Sequence, residues 1–237
     1  MQRGRLYLIP VPLGAMATVD VLPAPVCARA QELRHFVAEN ARSARAFLKS
    51  LPLRHPVHAI EIRELNEHTP AAALPLLLAP ALAGADLGLL SEAGCPAVAD
   101  PGAALVALAH REAVRVVPMV GPSSLLLALM ASGLCGQNFA FQGYLPIHTA
   151  QRLQCLRELE ALSRRQRQTQ IFIETPYRNR QLLDSLLSAC ASDTQLCIAS
   201  DLTRDSEEIL TRRIDEWQSQ AMPDLHRRPT VFLLLAH

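Results

Sequence analysis

The spacing of apolar and polar positions changes several times along the chain, and each change predicts an element. Residues 5–11 (RLYLIPV) are a short apolar run closed by Pro12-Leu13-Gly14, a strand followed by a loop. Across 26–50 the apolar positions Val26, Ala30, Leu33, Val37, Ala41, Ala44 and Leu48 recur at helical spacing and predict a helix. Residues 57–62 (VHAIEI) alternate as a strand does, and 71–83 read as a helix with Pro75 in its first turn. Asp86–Leu90 is a continuous apolar run, the pattern of a strand buried on both faces. The loop 91–102 follows, then a helix over 103–112, a strand over 114–120, the loop Gly121-Pro122-Ser123-Ser124, and a helix to about Ser132. This alternation builds a parallel sheet. Beyond Gly133 the pattern gives strands at 139–144, 171–175, 195–200 and 230–236, with helices over 149–167 and 177–191. The change of pattern divides the chain into two α/β domains, 1–122 and 123–237.

Composition narrows the function. Of the 237 residues 50% are hydrophobic and 19% charged, enough for a real core and too apolar for disorder. The 23 basic and 22 acidic side chains leave a net charge of +1, so a nucleic-acid partner has to be held by a local patch. Lys49 is the one lysine. The N-terminus reads as a buried strand rather than a leader, and no apolar stretch reaches the roughly 20 residues of a membrane span. The expected compartment is the cytoplasm. The six cysteines have no C-x-x-C pair and, with the eight histidines, no zinc spacing, so reduced thiols and no metal are expected.

Candidate chemistry concentrates in loops. Ser91–Gly102 (SEAGCPAVADPG) leaves the C-terminal end of a buried strand, where open α/β sheets bind ligands. Its glycines allow close backbone approach and its prolines stiffen it. It equally suits a surface connection whose Asp100 caps the next helix with Pro101 at the first helical position. Ser123 or Ser124 suits a helix cap, or a hydroxyl and amide for a ligand carboxylate. Glu174 ends an apolar strand before Pro176 and either meets a ligand or pairs with Arg178 or Arg180. The pairs Glu207-Glu208 and Asp215-Glu216 read as solvated helix faces, and Arg164-Arg165-Gln166-Arg167 as a cationic helix end or, as the less favoured alternative, a contact for RNA phosphate. Neither glycine-rich nucleotide signature occurs, nor a G-x-S-x-G elbow.

The succession LYLIPVPLG, SEAGCPAVADPG, VVPMVGPSS, FQGYLP, IFIETPYRN, ASDLT and RRPTVFLL resembles the tetrapyrrole-methylase superfamily, the class III S-adenosylmethionine-dependent methyltransferases. Within it the chain is most similar to the ribosomal RNA small-subunit methyltransferase I branch. The resemblance implies two α/β domains with S-adenosyl-L-methionine in the cleft between them, and a homodimer. It implies cofactor contacts at Pro12 and Leu13, at Ser91 and Glu92, at the G-x-P turn Gly94, Cys95 and Pro96, and at Val98 and Ala99. It extends them to Ser123, Ser124, Glu174, Pro229 and Thr230. The methyl donor is already activated, so an acceptor hydroxyl needs alignment and a base, for which Glu92, Glu174 and Asp100 are candidates. Glu92 replaces the branch's more usual aspartate. The branch's E-D-T-R segment is Glu39-Asn40-Ala41-Arg42 here, and the sequence stops at His237 just after the final strand, where the branch usually carries a C-terminal extension. Three functions stay open: methylation of small-subunit ribosomal RNA, methylation of a small molecule such as a tetrapyrrole, and cofactor binding without catalysis. RNA on the first reading would be held by a basic surface. The second calls for an apolar cavity with converging arginines.

Overall fold

A computed structural model describes residues 2–237, and its contacts divide the chain after Ser123 into two compact units. The first contains β1 (Arg5–Leu8), α1 (Thr18–Val21), α2 (Ala24–Glu32), β2 (His35–Ala38), α3 (Ala41–Lys49), β3 (Glu61–Glu64), α4 (Leu74–Leu82), β4 (Leu87–Leu90), α5 (Gly102–Arg111) and β5 (Arg115–Pro118). Its five strands form one sheet in the order β3-β2-β4-β1-β5, and every pairing is parallel. The expected βα alternation is therefore realised.

One expectation fails here. The helix over 26–50 is two helices with β2 between them. The residues 35–38 (HFVA) satisfy a helical count, but Phe36, Val37 and Ala38 are all buried because β2 is an inner strand covered on both faces. Phe36 and Ala38 join Tyr7, Ile9 and Leu90 on the face covered by α2 and α3. Val37 joins Leu6, Leu87 and Leu89 on the face covered by α4 and α5. Gly88 makes this close pairing possible. A Cβ on it would lie 2.7 Å from the Phe36 ring. The strand expected over 57–62 starts later, at Glu61, after a 3-10 turn at Val57–Ala59. In α4, Pro75 does sit in the first turn, while Pro80 lies inside the helix.

The second unit contains α6 (Ser124–Ser132), β6 (Phe139–Tyr144), α7 (Thr149–Gln166), β7 (Thr169–Ile173), α8 (Asn179–Ala189), β8 (Gln195–Ser200), β9 (Glu208–Arg213), α9 (Ile214–Ser219) and β10 (Thr230–Leu235). Its sheet runs β6-β7-β10-β8-β9, parallel only between β6 and β7. The apolar β10 is buried along its whole length at the centre. Its Phe232 stacks on Phe172 of β7, with centroids 6.1 Å apart. Trp217 is fully buried and donates its indole N–H to the Leu196 carbonyl at 2.9 Å. The acidic pairs do not lie on one kind of surface as expected. Glu208 begins the edge strand β9, and only Asp215-Glu216 begin a helix. Arginines at 212 and 213 break the apolar spacing and hide both the strand and the short helix in the sequence.

Candidate functional site

Three parallel strands of the first unit, β4, β1 and β5, lie side by side and end at the same edge. Their following loops therefore meet. Val11 and Gly94 exchange two backbone hydrogen bonds, at 3.0 and 3.1 Å, which tie the first loop to Ser91–Gly102. Gly94 has φ +72°, and a Cβ there would sit 3.1 Å from the Leu13 side chain and 3.2 Å from the Pro122 carbonyl. Glycine is thus required by the packing of three loops as much as by the dihedral. The Cys95 thiol donates to the Pro122 carbonyl at 3.3 Å, and burial pushes its pKa up, so it stays a thiol. The Ser91 hydroxyl turns inward to the carbonyls of Ala93 and Gly94. Pro96 is buried, whereas Val98 and Ala99 are exposed on the outer side of the turn.

The second half of this loop is strained. Ala97 and Ala99 have φ of 66° and 61°, a region that costs an L-residue about 1–2 kcal/mol. Asp100 compensates. Its carboxylate accepts from the Ala97 N–H at 2.9 and 3.0 Å and from the Gly102 N–H at 2.7 Å. The expected cap is displaced by one residue: Pro101 occupies the cap position without a side-chain cap bond, the helix starts at Gly102, and Asp100 one residue earlier accepts from that first helical amide. Burial pushes the Asp100 carboxyl up, against the pull of the two amides.

Ser123 and Ser124 are half-buried, and neither hydroxyl makes a hydrogen bond to the described residues, so the expected side-chain cap is not made. In the second unit Glu174 is 5% exposed. Its Oε1 accepts from Arg178 Nη2 at 2.7 Å and from the Thr175 amide at 2.6 Å. Of its two anticipated cation partners, Arg178 is therefore the one it takes, while Arg180 pairs with Asp184. Thr230 is buried, and its hydroxyl is shared among Asn179 Nδ2, Ser200 Oγ and the Arg228 carbonyl. Pro229 is exposed, and its carbonyl accepts from Asp201 N–H at 2.9 Å.

The structure gives roles to residues that the resemblance placed only in the counterpart of the E-D-T-R segment. Glu39 follows β2 at the same sheet edge. Burial pushes its carboxyl up, and the negative charges of Asp100 and Glu92 push it further. Asn40 caps α3, accepting from the amides of Arg42 and Ser43, so the departure from E-D-T-R keeps a capping oxygen in place. A pocket of about 300 Å³ opens between the first loop, α3 and Ser91–Glu92. Its polar side chains are Glu92 hydrogen-bonded by Ser43, a Thr18–Ser50 hydroxyl pair at 2.7 Å, and Ser91. Phe47 and Met16 supply apolar wall, and no arginine lines it. The missed signal was the N-cap at Asn40, which becomes readable only once 26–50 is cut into two helices.

Among the described residues no group of side chains has metal-holding geometry, and no helix is long and apolar enough to cross a membrane. The residues do fit a cationic ligand. The charges acting on Glu39 are all acidic, and Glu92 has no cationic partner among the described residues. A sulfonium or ammonium would relieve that repulsion.

No protein-family model matches the chain. It is 35% identical over 206 residues to the ribosomal RNA small subunit methyltransferase I of Mesorhizobium japonicum, covering 87% of this chain and 66% of that protein. It is 31% identical over 236 residues to the protein of the same name from Xylella fastidiosa, covering 98% of this chain and 81% of that one. The chain thus spans about two thirds to four fifths of the length of these relatives. A solved structure of uroporphyrin-III C-methyl transferase from Thermus thermophilus, in complex with S-adenosyl homocysteine, superposes with a TM-score of 0.57. That likeness covers 98% of this chain and 97% of the other at 18% identity, and shows the fold.

Proposed function

Because the chain belongs to the ribosomal RNA small-subunit methyltransferase I family, we propose that it is an S-adenosylmethionine-dependent methyltransferase whose acceptor is small-subunit ribosomal RNA. The observation that carries the reading is the convergence of Pro12-Leu13, Gly94–Pro96 and Gly121–Ser123 at one edge of the parallel sheet, beside carboxylates without cationic partners. These loops hold the cofactor, with Val98 and Ala99 as exposed apolar wall. Bound S-adenosylmethionine supplies a methyl group already activated by the sulfonium, so the protein contributes binding, alignment and proton removal.

The three candidate bases differ in what they are free to do. Asp100 is committed to the two amides that hold its own loop. Glu174 is buried against Arg178. Glu92 is exposed, lines the pocket, and meets only the Ser43 hydroxyl. Ser43 has one proton and two acceptors, Glu92 Oε1 and the Asn40 carbonyl at 3.1 Å. When that proton turns to Asn40, Glu92 is free to accept from an incoming hydroxyl. Glu92 is therefore the group that takes the acceptor's proton.

A tetrapyrrole acceptor suits this pocket less well. Its carboxylates call for arginines, and the wall offers an acid and hydroxyls instead. The test is calorimetric titration with S-adenosylmethionine and S-adenosylhomocysteine, then transfer of labelled methyl to small ribosomal subunits lacking the modification. Micromolar binding with label in RNA is expected. No binding of either compound by the folded protein would overturn the assignment.

A further inference from the structure

Helix α3 carries two neighbouring faces with different chemistry. Ser43, Ala46, Phe47 and Ser50 line the pocket. Arg42, Arg45 and Lys49 are exposed and fall within about 60° of arc on the adjoining face, at 100° per residue. None of the three has an acidic partner among the described residues, whereas ten of the chain's twenty other arginines do. Three cations without an acidic partner thus share one face of a nine-residue helix. They lie about 4.5 and 6 Å apart along the helix axis, a spacing that long side chains match to successive phosphates.

We propose that α3 is the RNA-binding element: an unpaired nucleotide of the acceptor strand enters the pocket against Phe47 and Glu92, and the phosphates flanking it lie on Arg42, Arg45 and Lys49. This rests on the methyltransferase reading above and specifies where its acceptor sits. Single-stranded RNA is recognised by such a combination, an aromatic wall and hydrogen-bonding groups for the splayed nucleotide beside cations for the backbone. The loop Ser91–Gly102 borders both ligands. Ser91 and Glu92 face the pocket, whereas Cys95 bonds toward Pro122 on its other side. The Val11–Gly94 bridge ties the two loops together, and Val11 and Pro12 also line the pocket, so the nucleotide borders the cofactor as direct methyl transfer requires. An acidic protein would use the cations but has no need of the pocket.

The experiment uses the full chain and a fluorescein-labelled single-stranded fragment of small-subunit ribosomal RNA, with binding read by anisotropy across a salt series. Removing two phosphate contacts in the double variant Arg45→Ala, Lys49→Ala should reduce the log–log salt slope by about 1.4, at about 0.7 per contact. Ala46→Phe fills the pocket from an exposed position. It should weaken RNA binding tenfold or more while leaving the slope unchanged. S-adenosylmethionine affinity should be unchanged in both. A wild-type salt slope in the double variant overturns the proposal, as does full RNA affinity in Ala46→Phe, which would leave a merely basic surface. A loss of S-adenosylmethionine affinity in Ala46→Phe also overturns it, since the pocket would then be the cofactor's. Failure of the wild type to bind S-adenosylmethionine shows in that arm alone and counts against the family function rather than against the RNA face.

Discussion

Asp100 tests whether the strained loop is held by charge or by geometry. Its carboxylate satisfies the amides of Ala97 and Gly102 and sits beside two alanines with positive φ. Asp100→Ala removes the acceptor from both amides, and an unsatisfied donor costs about 1–3 kcal/mol, so a loss of about 2–3 kcal/mol is expected. Asp100→Asn is different. Oδ1 alone lies within 3.0 Å of both amide nitrogens, so a carboxamide oxygen can accept from both. The raised Asp100 pKa also says that folding disfavours its charge, since burial outweighs the two amides. A group with a raised folded pKa contributes stability at low pH and loses it as pH rises through the folded value. At neutral pH the asparagine therefore gives up little, and should fall within about 1 kcal/mol of wild type. Its stability should also vary less than the wild type's as pH rises above the ordinary carboxylate value. Urea unfolding at pH 4 and pH 7 measures both variants, with hydrogen exchange at the Ala97 and Gly102 amides as the local readout. Asparagine as damaging as alanine at pH 7 would refute the reasoning and show that the negative charge itself holds the loop.

Other expectations concern single contacts. Gly94→Val places a branched side chain at φ +72° and 3.2 Å from a carbonyl, so about 1–3 kcal/mol of local strain should accompany loss of cofactor affinity. Calorimetry on the folded variant checks it, and wild-type affinity would remove the glycine turn from the binding site. Arg178→Ala leaves Glu174 buried without its cation and should destabilise more than Glu174→Gln, by about 1–3 kcal/mol after allowance for the partly exposed arginine. Thermal unfolding of the two variants compares them, and the reverse order would mean that the pair is not what stabilises the carboxylate. Thr230→Val strips a buried hydroxyl from Asn179 and Ser200 and should cost about 1–3 kcal/mol, with cofactor affinity within twofold of wild type. A tenfold weaker cofactor would instead place Thr230 in the binding site.

Much of the parallel half was legible because its strands announce themselves. Asp86–Leu90 and its partners are short apolar runs followed by Gly/Pro loops, and burial on both faces leaves no other pattern. The run Ser91–Gly102 was readable as a loop at a strand's C-terminal end, but its glycines and prolines suited a ligand loop and a surface connection equally. The strand β2 was not readable. Four residues embedded between two helices satisfy a 3.6-residue period by chance, and only neighbours on both sides, Leu87 and Glu61 against His35, make them a strand. With β2 hidden, α3 had no start, and its pocket face and basic face could not be separated.

Residue type and local spacing thus determined the class of fold and the loops at the strand ends, and the succession of motifs carried the family resemblance. Tertiary structure decided which polar groups are free. Asp100, Glu174 and Glu92 are alike in sequence, yet the first is consumed by amides, the second by an arginine, and the third faces a pocket. Chain position sets what a side chain is. Its hydrogen-bond partners, drawn from strands and loops far apart in sequence, set what remains for it to do.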